Sequence, residues 1–130
     1  MQPLEIISES LYNAQVRELF SQLIHAGSVV SANDALSVAA GSYDQGAQAT
    51  FSVVRDQCVI QAVRYQAYGC PHFLAACEWL ARWMEGRAWS ELLAWSWRDV
   101  ERILEVPANK RARLLLLDDV IRQLQSQRPA

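Results

Sequence analysis

The sequence predicts an α+β fold: a three-stranded antiparallel sheet with helices packed on one face. Three observations carry this expectation. Apolar residues alternate with a period of two only between residues 35 and 67. On both sides of that region they recur at helical spacing instead. The three strand-like runs also follow one another directly, so an antiparallel meander is the connection that fits.

Residues 11–24 space Leu11, Leu19, Phe20, Leu23 and Ile24 as one helical face, with Ser8 or Ser10 as its cap. His25-Ala26-Gly27 ends that helix: Gly27 suits a left-handed C-cap, and a cation at His25 suits the helix dipole. Residues 35–41 form a short first strand of small residues. Residues 47–55 put Ala49, Phe51 and Val53 on one face. Asp56-Gln57-Cys58 is a hairpin turn without the usual glycine. Residues 59–67 are the third strand, with Val59, Gln61, Val63, Tyr65 and Ala67 on one face.

From there the chain is helical. Residues 71–85 carry Phe73, Ala76, Cys77, Leu80, Trp83 and Met84 as an apolar stripe ended by Gly86. Residues 90–95 and 97–104 are two short helices capped by Ser90 and Ser96. Pro107 breaks the chain. Asn109 caps a last helix running to about residue 127, with Leu114, Leu117, Val120, Ile121 and Leu124 inward.

The 130 residues suffice for a single domain, 1–130, with one core. A hydrophobic fraction of 52% against 20% charged residues excludes a disordered chain. The net charge of -2 argues against a nucleic-acid binder. No apolar run approaches a membrane span, and residues 1–8 lack the basic start of a signal peptide. Three cysteines without a tandem Cys-x-x-Cys do not suggest a disulfide scaffold, so a cytoplasmic location is expected. With no Ser/His/Asp triad, P-loop or Gly-x-Gly-x-x-Gly, no enzyme is expected.

One junction is chemically specific. Tyr68-Gly69-Cys70 leaves a strand, and Pro71 opens a helix at the first position, where proline is favoured. A helix N-terminus favours a thiolate. Ordered around this junction are Tyr12-Asn13-Ala14-Gln15-Val16, Ala62-Val63-Arg64-Tyr65 and Leu104-Glu105-Val106-Pro107-Ala108-Asn109-Lys110. Together these segments resemble the IscU/NifU N-terminal family of iron–sulfur cluster assembly scaffolds, over roughly residues 10–127.

The resemblance implies a cluster held by three cysteines with help from an aspartate and a histidine. It places the first ligand turn at Ser42-Tyr43-Asp44-Gln45-Gly46-Ala47, with Gln45 where the family has cysteine and Ala47 where it has aspartate. Cys70 matches the second ligand position. Ala112 and Arg113 stand at the final His-Cys pair. The chain is therefore a divergent member lacking most cluster ligands. An iron–sulfur cluster or a single metal ion is implied as cofactor by the resemblance and disfavoured by the missing ligands. Implied partners are a cysteine desulfurase-like protein or another assembly factor, and a homo-oligomer sharing ligands. Pro107 and Lys110 keep the ends of the family's chaperone-binding segment, with a changed middle.

Cys70 is thus the candidate metal or sulfur site, with Asp44 and His72 as weak further ligands. His72 is otherwise a solvent-facing residue at the second helical position. Lys110, Arg111 and Arg113 crowd cations into a first helical turn, which suits an anion or an acidic partner. Arg113 is expected to face Cys70. Cys77 falls on the apolar stripe and Cys58 in the hairpin turn, far from Cys70 along the third strand. Trp89, Trp95 and Trp97 are either core or an interface. Two functions follow: sulfur or metal handling through Cys70, or a cluster-free interaction module on the same fold.

Overall fold

In the computed structural model, residues 12–27 and 35–127 are described. The elements are α1 (Ala14–Ser21), β1 (Leu36–Ser42), β2 (Ala47–Asp56), β3 (Val59–Tyr68) and α2 (Pro71–Met84). A 3-10 helix (Trp89–Ala94), α3 (Trp97–Leu104), a second 3-10 turn (Ala108–Lys110) and α4 (Arg111–Gln125) follow. The sheet is a meander in the order β1-β2-β3, antiparallel throughout. This is the expected α+β fold. α2 covers β3, and α4 covers β1.

The core follows the predicted alternation. Ala49, Phe51 and Val53 of β2 are fully buried, as are Phe73, Ala76, Cys77, Leu80 and Met84 of α2 to within 1% exposure. Leu114, Leu117, Val120, Ile121 and Leu124 all face inward from α4. Trp89 and Trp95 are buried in this core, whereas Trp97 is half-buried beneath the Arg98 and Arg111 guanidinium groups. No described helix is long and apolar enough to cross a membrane.

Before Val63 the third strand departs from strict alternation. Val54 pairs with Ala62, but Arg55 pairs with Ile60, so Gln61 is an extra residue in a bulge. The bulge reverses the faces beyond it. Ile60 is fully buried, while Val59 and Gln61 face solvent, contrary to the expected face. The hairpin closes through Gln57 and Cys58, and Gln57 adopts φ 58°. A left-handed conformation costs a residue with a Cβ about 1 kcal/mol, and glycine is free of it. Gln57→Gly should therefore raise stability by about 0.5–1 kcal/mol in urea melts; a loss would contradict this account of the turn.

The first helix is shorter than its periodicity suggests. Asn13 caps it, its side chain accepting from Val16 N at 2.9 Å and donating to Ile103 O at 2.9 Å. The expected caps Ser8 and Ser10 lie outside the described residues. α1 stops at Ser21, and Ile24 is 67% exposed. Residues 22–27 leave the helix because the edge of β3 offers better partners. Tyr65 N donates to His25 O and Gly27 N donates to Tyr65 O, at 3.1 and 2.7 Å.

His25, expected at a helix C-terminus, instead bridges two carboxylates of α2. Its Nδ1 lies 2.6 Å from Glu78 and its Nε2 2.9 Å from Glu85. Glu78 is fully buried and also accepts from Tyr65 Oη and Arg82. Burial alone would raise its pKa, but the hydrogen bonds from Arg82, His25 and Tyr65 outweigh that and leave it below the usual range. Two other caps also differ from expectation. The 3-10 helix begins after Ala88, whose N–H is capped by Glu91 rather than by Ser90. Asn109 lies within the second 3-10 turn, so α4 starts without a side-chain cap. Ser96 caps α3 as expected.

Candidate functional site

Three segments meet at one end of the sheet: the β1–β2 turn, the start of α2 and the start of α4. Ser42 pairs with Ala47, so the four residues 43–46 form the turn, closed by Gln45 N to Ser42 O and Gly46 N to Tyr43 O. Gly41, at φ 86°, lets α4 approach. A methyl there would stand 2.2 Å from Ala47 O and 2.9 Å from Leu116 Cδ1. The result is a cleft of about 250 Å³ lined by Gln45, Ala112, Arg113 and Leu116.

Cys70 is the N-cap of α2, extended at φ -75° and ψ 167°, with Pro71 next. Its side chain makes no capping bond, which leaves the sulfur for other contacts. Arg113 Nη1 reaches Cys70 Sγ at 3.9 Å, and a methyl on Gly46 would meet Arg113 Nη2 at 3.3 Å. One guanidinium therefore spans from the β1–β2 turn to the thiol. Tyr12 is close enough that burial, and then Cys70, raise its phenol pKa.

His72 is not solvent-facing: it is 3% exposed, packed on Tyr12 at 4.6 Å. Its position in the first turn of α2 turns the ring toward α1 and the start of α4. Lys110 Nζ lies 3.5 Å from its Nδ1. Burial, then Lys110 and Arg113, push the imidazole pKa down to about 4. An ammonium can only donate, so Nδ1 accepts and the proton is assigned to Nε2. Nε2 is buried and, among the described residues, has no hydrogen-bond partner.

The other expected site residues lie elsewhere. Asp44 is exposed on the turn, and no hydrogen bond or ion pair joins it to Cys70 or His72. Arg111 turns away from the cleft to Glu101 of α3, at 2.6 Å. Cys58 is exposed and Cys77 buried, its thiol pKa raised mainly by that burial. Among the described residues, no three His, Cys, Asp or Glu side chains are grouped to hold a metal ion. Tyr12 as a neighbour of the thiol was not foreseen, because only the fold brings the start of α1 to α2. The Glu78–His25–Glu85 cluster did leave a signal: two glutamates seven residues apart on a helix, one of them beside the apolar stripe.

A helix-covered three-stranded meander with a thiol at the sheet-to-helix junction defines an α+β domain of the iron–sulfur scaffold class. The chain belongs to the family of NifU-like N terminal domains, whose family model matches residues 11–126. Among solved structures it is similar to a protein of Fervidobacterium islandicum AW-1 assigned as an iron-sulfur cluster assembly scaffold for the SUF system. That match has a TM-score of 0.70 at 14% identity, over 88% of this chain and 96% of the other. It is also similar to the N-terminal part of a nitrogen-fixing NifU-like protein from Brucella abortus. There the TM-score is 0.53 at 20% identity, over 63% of this chain and 56% of the other. No curated protein matches the chain.

Proposed function

We propose that this chain serves iron–sulfur cluster assembly as a scaffold-type domain that handles sulfur at Cys70, without holding a cluster on its own side chains. One observation carries the reading. The three segments assigned to cluster ligands by resemblance converge, yet they bring a single thiol with Arg113 at 3.9 Å. Clusters need several thiolates, helped at most by histidine. One thiol, a histidine whose Nδ1 faces Lys110, and two cations are not such a set.

A single half-buried thiol at the cleft suits sulfur transfer. The Cys70 thiolate attacks the outer sulfur of a cysteine persulfide carried by a desulfurase-like partner. A new S–S bond forms on Cys70, the donor's S–S bond breaks, and the donor leaves as a thiolate. No external oxidant or reductant is needed. Arg113 holds the attacking sulfur in place and the Cys70 N-cap position presents it at the surface.

The test is uptake from a persulfidated donor, followed by intact mass, alongside anaerobic reconstitution with iron and sulfide. With Cys58→Ser as the background, which removes the exposed hairpin thiol, the chain should gain one sulfur and stay colourless. Cys70→Ser should gain none, and Arg113→Gln should slow uptake about tenfold, the effect of losing about one charge-assisted hydrogen bond. A visible chromophore that disappears in Cys70→Ser would instead mean that the chain does hold a cluster.

A second reading, the cluster-free interaction module, rests on a groove between α1 and α2. Gln15, Glu18, Leu19, Trp79, Arg82 and Trp83 line it, with both tryptophans half-buried. It predicts that Trp79→Ala loses the same desulfurase-like partner while Cys70→Ser retains it.

A further inference from the structure

We propose that Tyr43 and Tyr68 form the docking point for the protein that delivers sulfur to Cys70. This rests on the reading of Cys70 as a sulfur acceptor and names the surface its donor occupies. Among the described residues the exposed large apolar side chains are Ile24, Tyr43, Val59, Tyr68, Leu93 and Leu115. Only Tyr43 and Tyr68 are aromatic, and these two touch. Tyr43 is 70% exposed and Tyr68 50%, with ring centroids 4.9 Å apart at an angle of 66°. Neither ring belongs to the core, and neither hydroxyl makes a hydrogen bond to another described residue. Packing of the fold does not account for two aromatic rings held together in solvent, whereas exposed aromatic clusters mark interaction surfaces.

Both rings stand on hydrogen-bonded backbone. Tyr43 sits in the β1–β2 turn, closed by Gln45 N to Ser42 O and Gly46 N to Tyr43 O at 3.1 and 3.0 Å. Tyr68 ends β3, paired with Gln48 of β2. A tyrosine has only two side-chain torsions to fix, so docking on it costs little conformational freedom. Anchors of this kind carry a large share of the affinity in protein interfaces.

Their place beside the thiol identifies the occupant. Cys70 is two residues beyond Tyr68, so the two Cα atoms are at most about 7 Å apart. The turn that holds Tyr43 also holds Gly46, which meets the guanidinium that reaches Cys70 Sγ. A partner protein covers about 800 Å² on each side, a disc of radius about 16 Å. A donor whose persulfide reaches Cys70 therefore covers the pair as well. Strand alternation turns Tyr68 to the same face as Arg64 and Gln66, opposite the buried Val63 and Tyr65. The donor thus straddles the end of the sheet and rests partly on its open face. Among the described residues Lys110 and Arg113 make no salt bridge, and the exposed carboxylate on the turn is Asp44 alone. Two cations against one carboxylate fit a donor with an acidic rim around its persulfide.

The test uses the full chain with Cys58→Ser and compares two donors. One is a persulfidated cysteine desulfurase; the other is cysteine persulfide, which is too small to depend on a docking surface. Tyr43→Ala combined with Tyr68→Ala should raise the desulfurase concentration for half-maximal uptake tenfold or more. The maximal rate, and uptake from cysteine persulfide, should stay within twofold. Tyr43→Phe combined with Tyr68→Phe should behave as the parent, because the rings dock and not the hydroxyls. Leu93→Ala, 73% exposed on the 3-10 helix that begins beside Cys58, should change neither. An unchanged half-maximal concentration in the double alanine variant overturns the docking point. Equal losses with both donors overturn it too, since they put the tyrosines in the pocket of the thiol and not under the donor. Desulfurase affinity that does not fall between about 0.1 and 0.5 M salt overturns the acidic rim. If neither donor loads Cys70, the sulfur-acceptor reading fails, and binding of the unloaded desulfurase decides the docking point. A tenfold loss in the double alanine variant then keeps it; no loss, or no binding by the parent, removes it.

Discussion

Glu78→Ala should destabilise the fold by about 3–5 kcal/mol, the usual cost of breaking a buried ion pair by removing one partner. The side chain is fully buried and accepts four hydrogen bonds: His25 N at 3.1 Å, His25 Nδ1 at 2.6 Å, Tyr65 Oη at 3.0 Å and Arg82 Nε at 2.8 Å. Without it, the buried imidazole and the Tyr65 hydroxyl lose their acceptor together. The comparison is Arg122→Ala, which breaks a pair with Asp118 whose arginine is 76% exposed. Such surface pairs contribute about 0–1 kcal/mol. The effect should also be local in origin. Residues 22–27 are held to β3 by Tyr65 N to His25 O and Gly27 N to Tyr65 O, so those two amides should lose protection from hydrogen exchange first. Urea melts giving equal losses for the two variants would remove the network from the account of stability.

That network explains why the fold was more legible in the sequence than its details. Period-two alternation in β2 and helical periodicity in α2 and α4 are repeated signals, and each repeat constrains the same burial. Leu114, Leu117, Val120, Ile121 and Leu124 all point inward as their spacing required. Single-residue events carry no such redundancy. The Gln61 bulge reverses the start of β3, yet nothing in Val59-Ile60-Gln61-Ala62 distinguishes the two faces. The helix 11–24 was overextended because Leu23 and Ile24 keep its period, while the partners that pull the chain away are Glu78, Glu85 and Tyr65, distant in sequence. At the candidate site, the thiol and its helix junction were readable from Tyr68-Gly69-Cys70-Pro71. The burial of His72 was not, because its covers, Tyr12 and Lys110, come from 60 residues earlier and 38 residues later.

The burial of His72 has its own measurable consequence. Stability should fall by about 2 kcal/mol between pH 7.5 and pH 5, before the carboxylates titrate. In the unfolded chain His72 binds a proton below its ordinary pKa of 6.5; in the folded protein it does so only near 4. Between those values the unfolded state holds more protons, so stability rises with pH there and is lost as pH falls. The full difference, from 6.5 to about 4, corresponds to roughly 3 kcal/mol, most of it expressed by pH 5. The ring is surrounded by Lys110, Arg113 and Tyr12, and among the described residues no carboxylate contact favours the imidazolium. Glu78 and Glu85 act later and in the same direction. Their folded pKa values are lowered, so their contribution is complete above 4.5 and is lost as pH falls below it. Two stages of acid destabilisation are therefore expected, and His72→Phe separates them. Phenylalanine keeps the ring against Tyr12 but cannot take up a proton. Urea melts of that variant should lose about 2 kcal/mol less than wild type between pH 7.5 and 5 and should still drop below pH 4.5. A variant that loses as much stability as wild type above pH 5 would show that His72 is not the group responsible.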